Sequence, residues 1–248
     1  MANLVNEMLT VSEGNGGALE YSEHYGNQAL ASAIRDVVNL LPDEILYKSA
    51  LMATATTGYE DCRIIRVVRP NDDGHDITCR ALTYDEGVRA GDSNSIYHIS
   101  TDSDLNPGYY FNHIAAIATV AEDSHKGGST PGDYIDQKVI DMVVLPNATG
   151  LKVYYVPYFK STNAGGFIQY DLSGEADDML GIPNTAFYAI IIKTSLNIIA
   201  RLFTNAVQGE EDSEMLTMLQ TQATNLQGLY QVEMNNLGVN MNTGQEGS

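Results

Sequence analysis

The sequence predicts an α+β fold: a four-helix bundle from N- and C-terminal helices, with an inserted antiparallel β-sandwich or barrel-like domain. Three observations predict it. Apolar residues follow the helical i, i+3/i+4 period near both ends of the chain, over 28–57 and 183–237. Between them, 62–172 carries short β-branched runs separated by clusters of Gly, Pro, Asn and Asp. The two helical ends are distant in sequence, yet each shows an apolar face that needs a partner, and packing on each other is the simplest solution.

Residues 1–27 are rich in Gly, Asn, Ser and Glu around one apolar cluster, Leu4, Val5, Met8 and Leu9, and read as a flexible N-terminal arm with one short helix at most. Leu30, Ile34, Val37, Val38 and Leu41 then mark a helix. Leu41-Pro42 interrupts it, because the residue before proline is pushed out of the α region. Asp43 and Glu44 open a second helix at the positive end of its dipole, with Ile45, Leu46, Ser49, Ala50, Met52 and Ala53 as its stripe and Gly58 as its stop. The helical domain is thus 28–58 together with 183–237.

The inserted domain spans 59–182. The runs 62–69 and 77–84 are joined by Pro70-Asn71-Asp72-Asp73-Gly74, a hairpin signal. Further strands are expected at 95–100, 109–111, 114–120, 139–145 and 151–158. Pro183 begins a helix that is apolar nearly all round (Ile191 and Leu202 among its packing residues), so it should be central. After Gly209, the acidic first turn at 210–214 starts a last helix. Its seam is Leu216, Leu219, Ala223, Leu226, Tyr230 and Leu237, with Glu233 off the pattern. Residues 238–248 form a polar C-terminal arm.

The chain has 248 residues, with 13 Lys+Arg against 32 Asp+Glu and a net charge of -19. A chain of this size buries roughly 70–75% of its unfolded surface and needs no disulfide or metal staple. Scattered cations exclude gripping a phosphate backbone and disfavour adhesion to anionic membranes. The longest apolar run, 187–192, falls short of a membrane span. The start lacks a basic n-region and an apolar h-region, so no signal peptide is expected and the protein belongs to a reducing cytoplasm or an assembly made there. With the hairpin turn centred near Asp72 and Asp73, Cys62 falls opposite Thr83 rather than Cys79, and both thiols are expected free and buried.

No chemistry-bearing constellation stands out. His24, His75, His98, His113 and His125 have no zinc spacing. Asp102, Asp104 and Asn106 imitate a calcium loop, but Pro107 takes the glycine position and His113 the position of the bidentate Glu. The glycines at 14, 16 and 17 follow no strand and precede no Lys, so no phosphate loop is expected. Arg63, Arg66 and Arg69 suggest an ion-pairing strand edge. No catalytic, cofactor-binding or metal-binding residue is assigned.

The layout resembles head-to-tail adaptor (connector) proteins of tailed bacteriophages, especially those with a β domain inserted into a helical bundle. Three stretches carry the resemblance: Leu41-Pro42-Asp43-Glu44-Ile45-Leu46-Tyr47-Lys48-Ser49-Ala50; Ser95-Ile96-Tyr97-His98-Ile99-Ser100 before Tyr109-Tyr110-Phe111; and the closing helices from Ile182-Pro183 to Leu226-Gln227-Gly228-Leu229-Tyr230. It implies a virion protein forming a ring, commonly of twelve copies, beneath the portal protein at a capsid vertex. The bundles would form the ring wall, the β domain would meet tail or fibre proteins, and DNA would be passing cargo only. The C-terminal arm, with Val239, Asn240, Met241, Asn242 and Thr243, would dock in the portal. Two other readings compete: a β-rich tail or fibre component binding host glycans through tyrosines, and a hydrolase or lyase with a carboxylate pair.

Overall fold

The computed structural model describes residues 1–9, 21–56, 59, 62–71, 73–100, 106–114, 139–146, 149–158, 160–161, 167–168, 181–208 and 213–240. It is a mixed α+β fold. In chain order it begins with α1 (Ala2–Met8), α2 (Glu23–Leu40), α3 (Asp43–Leu46), β1 (Leu51–Ala53), β2 (Cys62–Pro70) and β3 (Asp76–Ala81). There follow α4 (Tyr84–Gly91), β4 (Gly108–Ile114), β5 (Val139–Leu145), β6 (Lys152–Pro157), β7 (Lys160–Ser161) and β8 (Phe167–Ile168). A 3-10 turn at Asn184–Ala186 leads into α5 (Phe187–Gln208), and α6 (Ser213–Asn236) closes the order. One sheet has six strands in the order β1-β6-β2-β3-β4-β5, and β7 and β8 form a separate ribbon. The chain divides into two compact units, Met1–Leu51 with Tyr155–Ser248, and Met52–Tyr154, the division falling within β1 and β6 themselves.

In the first unit α5 is the centre, as its all-round apolar sequence predicts. It packs against α1, α2 and α6. Ile190, Ile191, Ile192 and Ile198 are fully buried on it. α2 contributes Leu30, Ile34, Val37 and Val38, fully buried at helical spacing. It starts five residues earlier than its apolar period suggests, because Ser22 caps it by accepting from the Tyr25 N–H. The N-terminal cluster is used too. Val5 and Leu9 are fully buried, and Gln222 Nε2 on α6 donates to the Met8 carbonyl at 2.5 Å.

The helix expected over 43–57 is a single turn, α3, so the helices gathered on α5 are α1, α2 and α6. Tertiary pairing overrides the helix propensity of Leu51, Met52 and Ala53, which form edge strand β1. Ser49 Oγ donates to the Gly181 carbonyl at 3.1 Å. Gly181, at φ +84°, packs so closely on Pro157 and Leu51 that a Cβ would sit about 3 Å from both. α6 closes with Gly238 at φ +76°; Gly238 N–H donates to the Asn235 carbonyl and Val239 N–H to that of Met234, the paired bonds of a Schellman end.

In the second unit the β2–β3 hairpin pairs Val67 with Cys79 and Pro70 with Asp76. The register lies one residue from the expected one. Cys79 is buried and Cys62 only half-buried, and the two are not joined in a disulfide. Burial pushes the Cys79 thiol up to about 11, against the opposing pull of the nearby Arg69 cation. β4 pairs antiparallel with β5 from Gly108–Leu145 to Ile114–Val139. β3 and β4, however, run parallel, which corrects the expected all-antiparallel sandwich. The cause is α4, a crossover helix absent from the sequence-based order. Its signal was present in Thr83-Tyr84-Asp85-Glu86: the Thr83 hydroxyl accepts from the Glu86 N–H, and Glu86 Oε2 accepts from the Thr83 N–H at 2.9 Å. Those bonds hold the Glu86 carboxyl below its usual value.

The strand expected at 95–100 is a turn. Asp92 Oδ1 accepts the Asn94 N–H at 2.9 Å and Ser95 Oγ accepts the Tyr97 N–H at 3.1 Å, so local side chains take the donors that a ladder would need. The arginine run is also not an edge, since β2 lies between β6 and β3. Arg66 donates through Nε and Nη2 to the Thr78 hydroxyl, while Arg69 is buried and donates through Nη1 to the Pro146 carbonyl at 3.1 Å. Residues 102–105 of the calcium-like stretch, and all of the strand expected over 114–120 except Ile114, which ends β4, lie outside the described residues.

Candidate functional site

The long helices α5 and α6 of the first unit border a groove of about 650 Å³. From α5 it receives Lys193, Leu196, Asn197 and Phe203; from α6, Gln220, Ala223, Gln227 and Gln231. The heptad-like spacing of α6 explains the division. Leu219, Leu226, Tyr230, Met234 and Leu237 turn inward, which leaves the glutamines of the neighbouring positions on the rim. Among the described residues Lys193 is the one charge in the lining. Its Nζ stands 3.3 Å from Asp36 Oδ2 and 5.9 Å from the centroid of the Tyr230 ring. Tyr25 Oη donates to the Asn197 carbonyl at 2.9 Å, and Asn197 Nδ2 donates to the Ala29 carbonyl at 3.2 Å, which ties α2 to the same stretch of α5. Such a lining offers amides and apolar surface, which suit packing against a protein surface.

Tyr230, at the base of the groove, has a strongly perturbed environment. Its side chain is buried and, among the described residues, its hydroxyl has no hydrogen-bond partner. Burial, and secondarily the Asp36 carboxylate, push its phenol up to about 12. The unfolded chain releases this proton near 10.0 while the folded chain keeps it to about 12. Stability therefore falls as pH rises across that window. Tyr230→Phe removes this dependence. It is expected to leave unfolding free energy at neutral pH unchanged or to raise it by about 0.5–1 kcal/mol, because a buried unpaired hydroxyl costs its desolvation. Urea titration at pH 7 and pH 10.5 checks both parts. A loss above about 1 kcal/mol at pH 7 would show that the hydroxyl is bonded.

The structure places the other nominated packing residues as follows. Ile191, Leu219 and Leu226 are buried; Leu216 and Leu202 are half-buried. Met234, fully buried, holds the seam position beside the off-pattern Glu233 and was missed, since the local drift from a strict heptad shifts the inward residue by one. Of the nominated arm, Val239 is half-buried and tied to α6, and Asn240 is exposed. Met241, Asn242 and Thr243 lie outside the described residues. A second hollow, about 510 Å³, adjoins the end of α6 and is lined by Ile45, Lys48, Asn184, Thr185, Asn236 and Leu237.

Among the described residues no three His, Cys, Asp or Glu side chains are grouped as metal ligands would be. The segment Asn184–Gln208 is long and apolar enough to cross a membrane by length and composition; an 18-residue window of it has mean hydropathy 1.5, and half of that window is buried within the protein. The short-run criterion applied to the sequence misses this, because Lys193, Thr194 and Ser195 break the run without breaking the helix. No family model, curated protein or solved structure matches the chain.

Proposed function

We propose that the chain is a structural virion protein: the head-to-tail adaptor of a tailed bacteriophage, forming a ring of about twelve copies between the portal and the tail. The observation that carries this reading is the split of the helical unit. The chain leaves it at Leu51 and returns at Tyr155, with the sheet-bearing unit between. In this reading the helices gathered on α5 are the bundle of the ring wall, and α5 is a core helix rather than a membrane span. The sheet unit is the inserted β module, turned toward tail or fibre proteins. Its turn after α4 carries Ile96 and Tyr97, 91% and 63% exposed, a suitable apolar contact. The net charge of -19 suits a channel wall that repels DNA, so that a duplex passes without adhering. The role needs no catalytic residue, cofactor or membrane. Assembly would take place in the bacterial host cytoplasm.

The C-terminal arm supplies the test. Full-length protein is mixed with the portal protein of the same phage and sedimented, beside a variant carrying Val239→Asp and Met241→Asp. Co-sedimentation of the wild type and its loss in the variant are expected. A full-length chain that never sediments with the portal would overturn the adaptor reading, and a variant that binds equally would overturn the assignment of the arm.

A further inference from the structure

The hollow of about 510 Å³ beside the end of α6 combines two kinds of surface. Ile45, Ile182 and Leu237 supply apolar lining, and Ile45 is only half-buried. Among the described residues Lys48 is the one charge in the lining. It is exposed and takes part in no ion pair among them. Asp43 and Glu44, the carboxylates of the same stretch, do not line the hollow.

The chain itself arrives at this hollow. Asn236, the last residue of α6, and Leu237 after it form part of its wall. Gly238, at φ +76°, ends the helix, and a Cβ there would lie 4.0 Å from Pro42 Cγ, so the chain departs beside the start of α3. The described residues stop at Asn240, three past Leu237. The next eight, Met241-Asn242-Thr243-Gly244-Gln245-Glu246-Gly247-Ser248, carry one large apolar side chain, one carboxylate and no cation. The stretch from Met241 to Glu246 reaches roughly 20 Å when extended, enough to cross a hollow that begins at Leu237.

We infer that residues 241–248 of the same chain occupy this hollow, with Met241 against Ile45, Ile182 and Leu237 and the Glu246 carboxylate on Lys48. Tethering selects this occupant first. A segment joined a few residues away is present at an effective concentration on the order of millimolar, an advantage that a separate partner lacks. Charge agrees. A net charge of -19 repels an acidic segment from most of the surface, and Lys48 is where the lining reverses the sign. Order agrees too. The apolar residue comes first, near Leu237, and the acid follows after Gly244, which lets the backbone turn in a confined space. The arm proposed above for the portal is then sheltered on its own chain, and a portal must draw it out, which lowers the apparent affinity by the fraction of arms that are free. The contact itself does not rest on the virion role.

Carbodiimide coupling of the full-length protein, without any portal, tests it. The reagent joins a carboxylate to an amine in contact with it as an amide, and takes up the water that is lost to become a urea. A Lys48–Glu246 link in the digested monomer, read by mass spectrometry, is expected at a yield independent of protein concentration. Its absence while Lys152 and Asp76, 2.7 Å apart, couple would overturn the contact. A link found only in covalent dimers and rising with concentration would overturn the same-chain assignment and give the hollow to a second copy. Hydrogen exchange over 45–49 and 182–185 reads the same contact without the reagent. Lys48→Glu and Glu246→Lys are each expected to speed it about two- to fivefold, and Met241→Asp on the order of tenfold. The double variant Lys48→Glu with Glu246→Lys is expected to return to the wild-type rate, which a merely structural effect of either change would not do. A double variant that exchanges as fast as the singles would overturn the pairing of Lys48 with Glu246.

Discussion

Ile191→Ala is expected to destabilise the helical unit by about 3 kcal/mol. Ile191 is fully buried on α5, between Ile190 and Ile192, which are fully buried as well. Its truncation removes three carbons, at about 0.8 kcal/mol each, and adds a cavity that helices packed on several sides cannot close. In urea the far-ultraviolet dichroism midpoint should fall with little change in slope. The substitution also separates two views of α5. A helix whose apolar surface served a membrane would not lose stability in water through Ile191, so an unchanged midpoint would contradict its place as the core of the first unit.

Arg69→Met is expected to cost the sheet unit about 2–3 kcal/mol. Two effects compete. Replacing a buried charge by an apolar side chain of similar length relieves the desolvation of the guanidinium, and this alone can be neutral or favourable. However, the carbonyl of Pro146, 3.1 Å from Nη1, loses its charged donor and keeps its need for one, as does the weaker acceptor, the Pro70 carbonyl at 3.4 Å. The unsatisfied acceptors decide the sign. Arg69→Lys should recover less than half of the loss, because an ammonium cannot span both carbonyls with a planar fork. Thermal unfolding checks both variants, and a Met variant as stable as the wild type would show that the relief of desolvation wins.

What was legible in the sequence was local. The β2–β3 hairpin was recovered to within one residue of its register because Pro70, Asn71 and Gly74 fix a turn without help from the rest of the chain. The central place of α5 was legible because a helix apolar nearly all round cannot sit at a water-exposed surface. Most of the α6 seam was legible because its residues repeat by three and four. Failures came where a partner distant in sequence decided the outcome. Leu51–Ala53 has helical composition, and only the open sheet edge makes it a strand. Ile96 and Tyr97 have strand composition, and the capping side chains of Asp92 and Ser95 make them a turn. The parallel pairing of β3 with β4 was hidden behind α4, whose capping box at Thr83 and Glu86 was the one available clue. At the candidate site, the glutamine rim and the inward Tyr230 follow from the seam.

The adaptor role proposed above would make this chain the ring between a portal and a tail. Electron microscopy of the full-length protein bound to its portal protein tests it most directly. A closed ring of copies stacked on the portal axis around an open channel, with helices on the channel wall, is expected. A stable monomer that never joins the portal, or an assembly without an axial opening, would contradict it.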